Sequence, residues 1–268
     1  MHMNNGERVR ARDYIVSLAA NGCYHFTSAD AQRVLGVSPD AAKLALNRLR
    51  RQGHIATPAR GFYVIVPPEY RVLKCLPADQ FIPALMQRLG LSYYAGLLTA
   101  AQYHGAAHHR PQEFQVMVAH ARRAIVCGTV RVAFIVRKNL AEIPVQSFNT
   151  PRGTVMVSTP EATAIDLVGY AQHAGGLDQV ATLLAELAER IDPGKLVVAA
   201  RTAPMPWAQR LGFLLELVDE GDRATALKSY VKTHAQQAAS LLPAALRANA
   251  VRDKGWKLDI NAEVEAEL

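Results

Sequence analysis

The chain opens with segments in which apolar residues recur at helical spacing. Residues 7–20 predict a first helix, which ends at Asn21-Gly22, a pair that suits a helix C-terminus. A second helix is predicted after Thr27. Thr27 and Asp30 stand in the spacing of a capping box, in which each side chain accepts a hydrogen bond from the other residue's backbone N–H.

A third helix is predicted from Pro39 to about Gln52. Ser38 caps it, and Pro39 occupies the first helical position, where the missing N–H costs nothing. The pattern then changes to two β-prone runs, HIATP and GFYVIV, joined by the turn sequence PARG, which predicts a hairpin. Three helices followed by a hairpin form a winged helix-turn-helix. The Pro67-Pro68 pair after the hairpin favours extended backbone and begins a linker.

Beyond residue 75 the predicted strands and helices are grouped instead of alternating. Residues 81–89 and 93–104 favour helices, and four later runs favour strands: EFQVMVA, TVRVAFIV, PVQSFNT and GTVMVST. Further helices are predicted near 160–174, 177–190, 205–219 and 223–236, and GWKLDINAEVE suits a final strand. This order predicts an α+β protein, with an N-terminal winged helix-turn-helix over residues 1–75 and a larger mixed α+β C-terminal domain over 76–268.

Charge is unevenly distributed along the chain. Residues 1–75 carry 11 Lys and Arg against 5 Asp and Glu, and residues 110–152 carry 7 against 2, whereas residues 153–268 carry 11 against 15. Cationic surfaces attract the phosphates of nucleic acids, and the release of counterions drives that binding. We therefore expect a polyanionic partner at the first quarter of the chain, with the acidic last third facing away from it.

The charged face of the third helix is the candidate recognition surface. At about 100° per residue, the apolar side of this helix consists of Ala42, Ala45, Leu46 and Leu49. The opposite side offers groups that read a major groove, namely Lys43, Leu44, Asn47, Arg48 and Arg51. Arg50 lies on the border. The alternative is an ordinary solvated face, but the position of the helix as third of a compact trio favours DNA binding.

Other residues of the sequence are candidates for further contacts with DNA or another partner. Arg60 stands at the predicted hairpin tip, where it would reach a phosphate or the minor groove, and the Ser38 hydroxyl would donate to a phosphate. Arg8, Arg10 and Arg12 would add backbone contacts or serve only solubility. A candidate second basic surface consists of Arg122, Arg123, Arg131, Arg137, Lys138 and Arg152. Its partner would be flanking DNA, another protein or RNA, and scattered surface charge is the equal alternative.

Metal and thiol chemistry are not expected. His104, His108 and His109 are close in sequence, but Gly105 and Pro111 interrupt a helix there, so a helix end with turn-facing histidines is favoured over a metal site. The three cysteines, Cys23, Cys75 and Cys127, are far apart in sequence and form no CxxC pair, which favours buried free thiols. No cofactor is expected.

Catalytic motifs are also missing from the sequence. It has no GxxxxGK[ST] loop, GxSxG elbow or HExxH helix. A nuclease would need clustered acids, and the candidates are Asp166, Asp219, Asp222 and Glu113. Asp166 falls within an amphipathic helix, and Asp219 and Asp222 stand at a helix end, where solvation explains them. No apolar run reaches the length of a membrane span, and the opening residues lack the apolar core of a secretory signal, so a cytoplasmic protein is expected.

The chain resembles a known family over nearly its whole length. The segments GHIATPARGFYVIVPPEYR, SYYAGLLTAAQYHGAAHHRPQEFQVMV, STPEATAIDLVGY and GWKLDINAEVE, in this order, are similar to the AbiEi-type antitoxins of type IV toxin–antitoxin, or abortive-infection, systems. The resemblance implies a winged helix that represses the protein's own operon at inverted repeats. It also implies a C-terminal domain that counteracts a nucleotidyltransferase-like toxin, without fixing whether the two proteins form a complex.

The resemblance carries no catalytic residue over to this chain, so a non-enzymatic protein is expected. Two alternatives stay open. The winged helix could target a nuclease-like C-terminal domain to DNA, or the protein could be a ligand-responsive regulator with no toxin. Nicking of supercoiled DNA with Mg²⁺ tests the first, and an adjacent nucleotidyltransferase gene is expected only for an antitoxin.

Overall fold

A computed structural model describes residues 9–106, 111–246 and 250–267. The chain forms two compact units. The first comprises Met1–Ser92, Ala121–Phe134 and Ser147–Val155, and the second comprises Tyr93–His120, Ile135–Gln146 and Met156–Leu268. Because each unit draws on separate stretches of chain, these units differ from the two continuous domains of the sequence analysis. The domain limit at residue 75 stays a prediction.

The N-terminal part of the first unit is a winged helix-turn-helix. Helix α1 spans Ala11–Ala20, strand β1 His25–Thr27, helix α2 Ser28–Leu35, helix α3 Pro39–Arg51, strand β2 Ile55–Ala59 and strand β3 Phe62–Ile65. The strands form an antiparallel sheet in the order β1-β3-β2. The three helices and the hairpin confirm the prediction from the sequence, whereas the three-residue strand β1 was not predicted.

Local sequence signals explain these elements. Thr27 and Asp30 form the predicted capping box at the start of α2, and Gly36 adopts a left-handed conformation that ends this helix. One apolar core joins the helices to the sheet. Its buried residues are Tyr14, Ile15, Phe26, Ala31, Leu35, Leu46, Leu49, Ile55 and Ile65. Packing against this core fixes which side of α3 stays exposed.

The rest of the first unit contains a helix, a hairpin and segments of two further strands. Helix α4 spans Ala78–Leu89. The chain then passes through three elements of the second unit, namely strand β4 (Tyr93–Ala95), helix α5 (Leu97–Tyr103) and strand β5 (Phe114–Val118). An antiparallel hairpin follows, formed by strands β6 (Ile125–Cys127) and β7 (Val130–Val136). Strands β8 (Val145–Thr150) and β9 (Gly153–Ser158) follow.

The turn of the β6–β7 hairpin contacts Leu73, and the same hairpin places Cys127 near Cys75, although the two cysteines are far apart in sequence. The Thr129 backbone N–H donates to the Leu73 carbonyl at 2.9 Å, and a Cβ on Gly128 would lie 2.0 Å from that same oxygen. Only glycine therefore fits this turn. The free thiols of Cys75 and Cys127 are both buried, and the neighbouring Cys127 thiol together with burial raises the pKa of Cys75.

The second unit is the larger α+β part. Its sheet has the order β5-β4-β9, with β4 antiparallel to β5 and parallel to β9. The helices that follow are α6 (Pro160–Gly169), α7 (Leu177–Ala188), α8 (Pro193–Ala200), α9 (Met205–Leu217) and α10 (Thr225–His234). A small C-terminal sheet has the order β10-β12-β11, formed by Ala239–Ser240, Leu258–Ile260 and Val251–Asp253.

This part corrects one predicted element and adds others. The prediction of a continuous helix over 93–104 is wrong, because Tyr93–Ala95 pairs with β5 as strand β4 before α5 begins. Leu97 has a φ of 52°, which separates the two elements. Helix α8 and strand β6 were not predicted, since each is short and its apolar run carries no distinctive period. The mixed α+β class is confirmed.

Candidate DNA-binding surface

Helix α3 carries the residues that the sequence predicts as the DNA-recognition surface. Ala42, Leu46 and Leu49 are buried, while Ala45 is half-buried at the edge of the core. On the other side Lys43, Leu44, Arg48 and Arg51 are exposed and Asn47 is half-buried. Leu44 keeps 71% of its surface exposed, which is unusual for a large apolar side chain and suits contact with a thymine methyl group.

The start of α3 is fixed by its cap. The Ser38 hydroxyl oxygen accepts a hydrogen bond from the Ala41 backbone N–H at 3.3 Å. The hydroxyl proton stays available for donation, and Ser38 is exposed. A serine that both caps a helix and donates to a phosphate positions the helix on a duplex without reading its sequence.

The hairpin tip is short and tethered. Ala59 pairs with Phe62, so the turn consists of Arg60 and Gly61. Gly61 has a φ of 70°, and its carbonyl accepts from the Ser28 backbone N–H at 3.2 Å. Arg60 is exposed on this turn. The tether at Ser28 holds the turn that carries Arg60 against the start of α2.

A basic groove in the first unit brings Arg50 and Arg51 together with two cations, Arg71 and Lys74, that were not assigned to DNA binding from the sequence. A cavity of about 620 Å³ is lined by Arg50 and Arg51 at the end of α3 and by Arg71 and Lys74 of the following segment. Burial lowers the pKa of His54, and the nearby charges of Arg12 and Arg71 lower it further. Arg50, a border residue by helical spacing, is exposed and lines the groove.

Arg137 does not belong to a basic surface, which corrects its assignment to the candidate second surface. Its side chain is 3% exposed, and its Nε donates to the Asp166 carboxylate at 2.9 Å. The same carboxylate accepts from the Tyr94 hydroxyl at 2.6 Å, and the guanidinium lies over the Trp207 ring. Burial raises the pKa of Asp166, and the Arg137 charge opposes that rise.

Arg152 is also held within the protein and is not a free surface cation. It forms an ion pair with Glu69 at 3.3 Å and donates to the Gln80 side-chain oxygen at 2.9 Å. Its guanidinium lies 3.7 Å above the Tyr24 ring centroid. The remaining members of the candidate second surface, Arg122, Arg123, Arg131 and Lys138, are exposed.

The histidine and acid candidates for chemistry have structural roles where the structure describes them. His104 is buried and bonds the Ser158 carbonyl through Nε2 at 2.7 Å, and His108 and His109 lie outside the described residues. The Asp166 carboxylate accepts hydrogen bonds from Arg137 and Tyr94. Within the described residues, no group of three or more His, Cys, Asp or Glu side chains could hold a metal ion. No helix in the described part of the chain has the length and apolar character of a membrane span.

Comparison with known families gives two matches along the chain. Residues 13–66 match the family described as "Transcriptional regulator, AbiEi antitoxin", and residues 94–217 match the "AbiEi antitoxin C-terminal domain". The first match begins in α1 and ends just after β3, and the second begins in β4 and ends with α9. A search of curated proteins finds no match.

Two solved structures resemble the chain. The RV2827C protein from Mycobacterium tuberculosis has a TM-score of 0.67 at 18% identity, covering 96% of this chain and 94% of that one, which shows a shared fold. An antigenic nucleotidyltransferase-like protein from Paracoccidioides brasiliensis has a TM-score of 0.40 at 13% identity, covering 56% of this chain and 90% of that one.

Proposed function

Since the chain belongs to the AbiEi-type antitoxins and regulators, we propose that it is a DNA-binding antitoxin of a type IV toxin–antitoxin system that represses its own operon. Repression acts through α3 on inverted repeats in the protein's own promoter, which is double-stranded DNA. The C-terminal part counteracts a nucleotidyltransferase-like toxin. The protein acts without catalysis, and binding alone accounts for both roles.

The observation that carries the DNA-binding proposal is the exposed face of α3. Three cations, an amide and an exposed leucine lie on one side of a helix whose other side is packed into the core. Lys and Arg bind guanine acceptors and phosphates, Asn binds adenine, and an apolar side chain contacts the thymine methyl. Arg60 on the hairpin turn and Ser38 at the start of α3 supply phosphate contacts.

The basic groove extends the proposed contact from base reading to the DNA backbone. Arg50, Arg51, Arg71 and Lys74 line one cavity, so their charges add at one place. Each phosphate that they neutralise releases counterions and strengthens binding at low salt. We assign recognition of the DNA sequence to α3, and we assign sequence-independent affinity for the DNA backbone to the basic groove.

A gel-shift series over the DNA upstream of the gene tests the proposal. Replacing Lys43, Asn47 and Arg51 together by alanine removes three groups from the exposed side of α3, so affinity should fall at least tenfold. The matched control replaces Lys195, Gln112 and Arg201, exposed residues of the second unit, which removes the same charge. Wild-type affinity in the α3 variant contradicts the assignment.

The toxin half of the proposal has its own test. Co-expression with an adjacent nucleotidyltransferase gene should restore growth, and the α3 variant should still do so because neutralisation is assigned to the C-terminal part. If the genome carries no such gene next to this one, a regulator without a toxin replaces the antitoxin proposal. If the purified protein nicks supercoiled DNA with Mg²⁺, the protein is an enzyme instead.

A further inference from the structure

Arg210 is a buried cation in the second unit that the proposed function does not use. It lies on α9, and only 9% of its surface is exposed. Its Nε donates to the Ser240 carbonyl at 2.8 Å, which ties the helix to strand β10. This bond uses one of the five N–H groups of a guanidinium.

Arg210 lacks the carboxylate partner that the other enclosed arginines have. Arg137 is paired with Asp166 and Arg152 with Glu69. Among the described residues, no carboxylate lies within ion-pair distance of Arg210, and its pKa is lowered by burial. An arginine remains charged even so, and an unpaired buried charge is costly to maintain. A negatively charged group from outside the chain would remove that cost.

Two cavities open onto Arg210. The larger has a volume of about 500 Å³ and is lined by polar groups that include Gln209, Gln236 and His234. The smaller has a volume of about 320 Å³, within the range of small-molecule sites. Its walls are mainly apolar, with Val168, Leu177, Leu241, Leu242 and Pro243 beside the rings of Tyr170 and His173.

We propose that Arg210 anchors a binding site for a small-molecule oxyanion, either a carboxylate or a phosphate monoester, whose organic part occupies the smaller cavity. Guanidinium groups bind both oxyanions through paired N–H donors in a planar fork. Apolar walls around one charged group form the usual arrangement of a small-molecule site, in which the charge fixes the orientation. This site requires neither DNA nor a toxin.

Ligand binding is measurable through Trp207. Its ring packs against Tyr170 at 5.2 Å between centroids and approaches Gly169, and both of these residues line the smaller cavity. The full-length protein is titrated at constant ionic strength with benzoate and with phenyl phosphate, and with benzamide as the neutral analogue of benzoate. At least one oxyanion should change the tryptophan fluorescence saturably, and benzamide should not. The tighter of the two oxyanions identifies the head group.

Variants separate this site from general attraction of anions to a basic protein. Arg210→Gln keeps a donor for the Ser240 carbonyl but removes the charge, so affinity should fall at least tenfold, and Arg210→Lys should retain part of it. Arg201→Gln removes an exposed charge nearby in sequence and should leave binding unchanged. Ala244→Phe, at an exposed position of the cavity wall, adds bulk without adding a tryptophan and should weaken binding with Arg210 intact.

The proposal is overturned by either of two results. One is the lack of saturable binding by both oxyanions up to about 10 mM. The other is binding to Arg210→Gln with the affinity of the wild type. Neither result bears on the gel-shift series, because that series concerns α3, and loss of DNA binding in the α3 variant leaves the Arg210 site unaffected.

Discussion

At the scale of single residues, neighbouring cations in this protein have opposite roles. Arg137 and Lys138 are adjacent in sequence, but Arg137 is buried against Asp166 and Lys138 is exposed. A count of charge along the chain treats the two alike. The burial of Arg137 depends on Tyr94, Asp166 and Trp207, which are distant in sequence, so charge patterning could not have revealed it.

This difference predicts different effects on stability. Arg137→Ala leaves the Asp166 carboxylate buried without its partner, so the free energy of unfolding should fall by about 3–5 kcal/mol. Lys138→Ala is the matched control and should change stability by less than about 0.5 kcal/mol. Urea denaturation of both variants measures the difference, and equal stabilities would show that Arg137 is not a structural ion-pair partner.

Asp30 gives the start of α2 a dependence on pH. Its carboxylate accepts from the Thr27 hydroxyl at 2.6 Å and from the Thr27 N–H at 3.0 Å. The hydrogen bond from the Thr27 side chain is the main cause that lowers the pKa of Asp30. A carboxyl group with a lowered pKa in the folded state adds stability above its ordinary pKa of about 4, and that stability is lost as the pH falls through the folded value.

Asp30→Asn abolishes this titration while keeping an acceptor for Thr27. The variant should be less stable than the wild type at pH 7 by at most about 1 kcal/mol, because the side chain is partly exposed. The difference should shrink as the pH falls below about 4. Denaturation curves at several pH values check this, with Glu113→Gln, an exposed carboxylate, as control. A difference that does not vary with pH would exclude the charge of the Asp30 carboxylate as its source.

At the scale of elements, α3 and the basic groove have different proposed roles in DNA binding: α3 recognises the sequence, and the groove binds the phosphate backbone. The buried face of α3 could be predicted from its period, because four apolar residues at helical spacing indicate which side meets the core, and three of them are buried. The groove could not, since Arg71 and Lys74 follow the predicted hairpin and line a cavity with the end of α3 only through the fold. Strand β1 was missed for a related reason, as three residues carry too little alternation to recognise.

Alanine at both Arg71 and Lys74 should weaken DNA binding about equally on specific and unrelated sequences. Each phosphate contact contributes about 0.9 to the slope of log affinity against log salt, so the slope should become shallower by one to two. The control is the Lys195→Ala, Arg201→Ala pair. Fluorescence anisotropy at several salt concentrations measures the slope, and a slope equal to that of the wild type would remove the groove from the DNA-binding surface.

At the scale of the whole molecule, the family and the α+β class follow from the order of motifs along the chain. The two matched regions contain the winged helix and most of the larger domain. The division into units could not be predicted, because residues 121–134 and 147–155 join the first unit although they lie beyond residue 75 in sequence. Which strands join which unit depends on long-range pairing that no local pattern encodes.

The most direct test of the central claim is repression of the protein's own promoter in cells. A reporter gene is placed behind the upstream DNA, and the wild type, the Lys43/Asn47/Arg51 alanine variant and the Lys195/Gln112/Arg201 alanine control are expressed at equal levels. We predict that the wild type and the control repress the reporter, whereas the α3 variant does not. Repression by the α3 variant at the wild-type level would contradict the claim that this protein regulates its operon through the exposed face of α3.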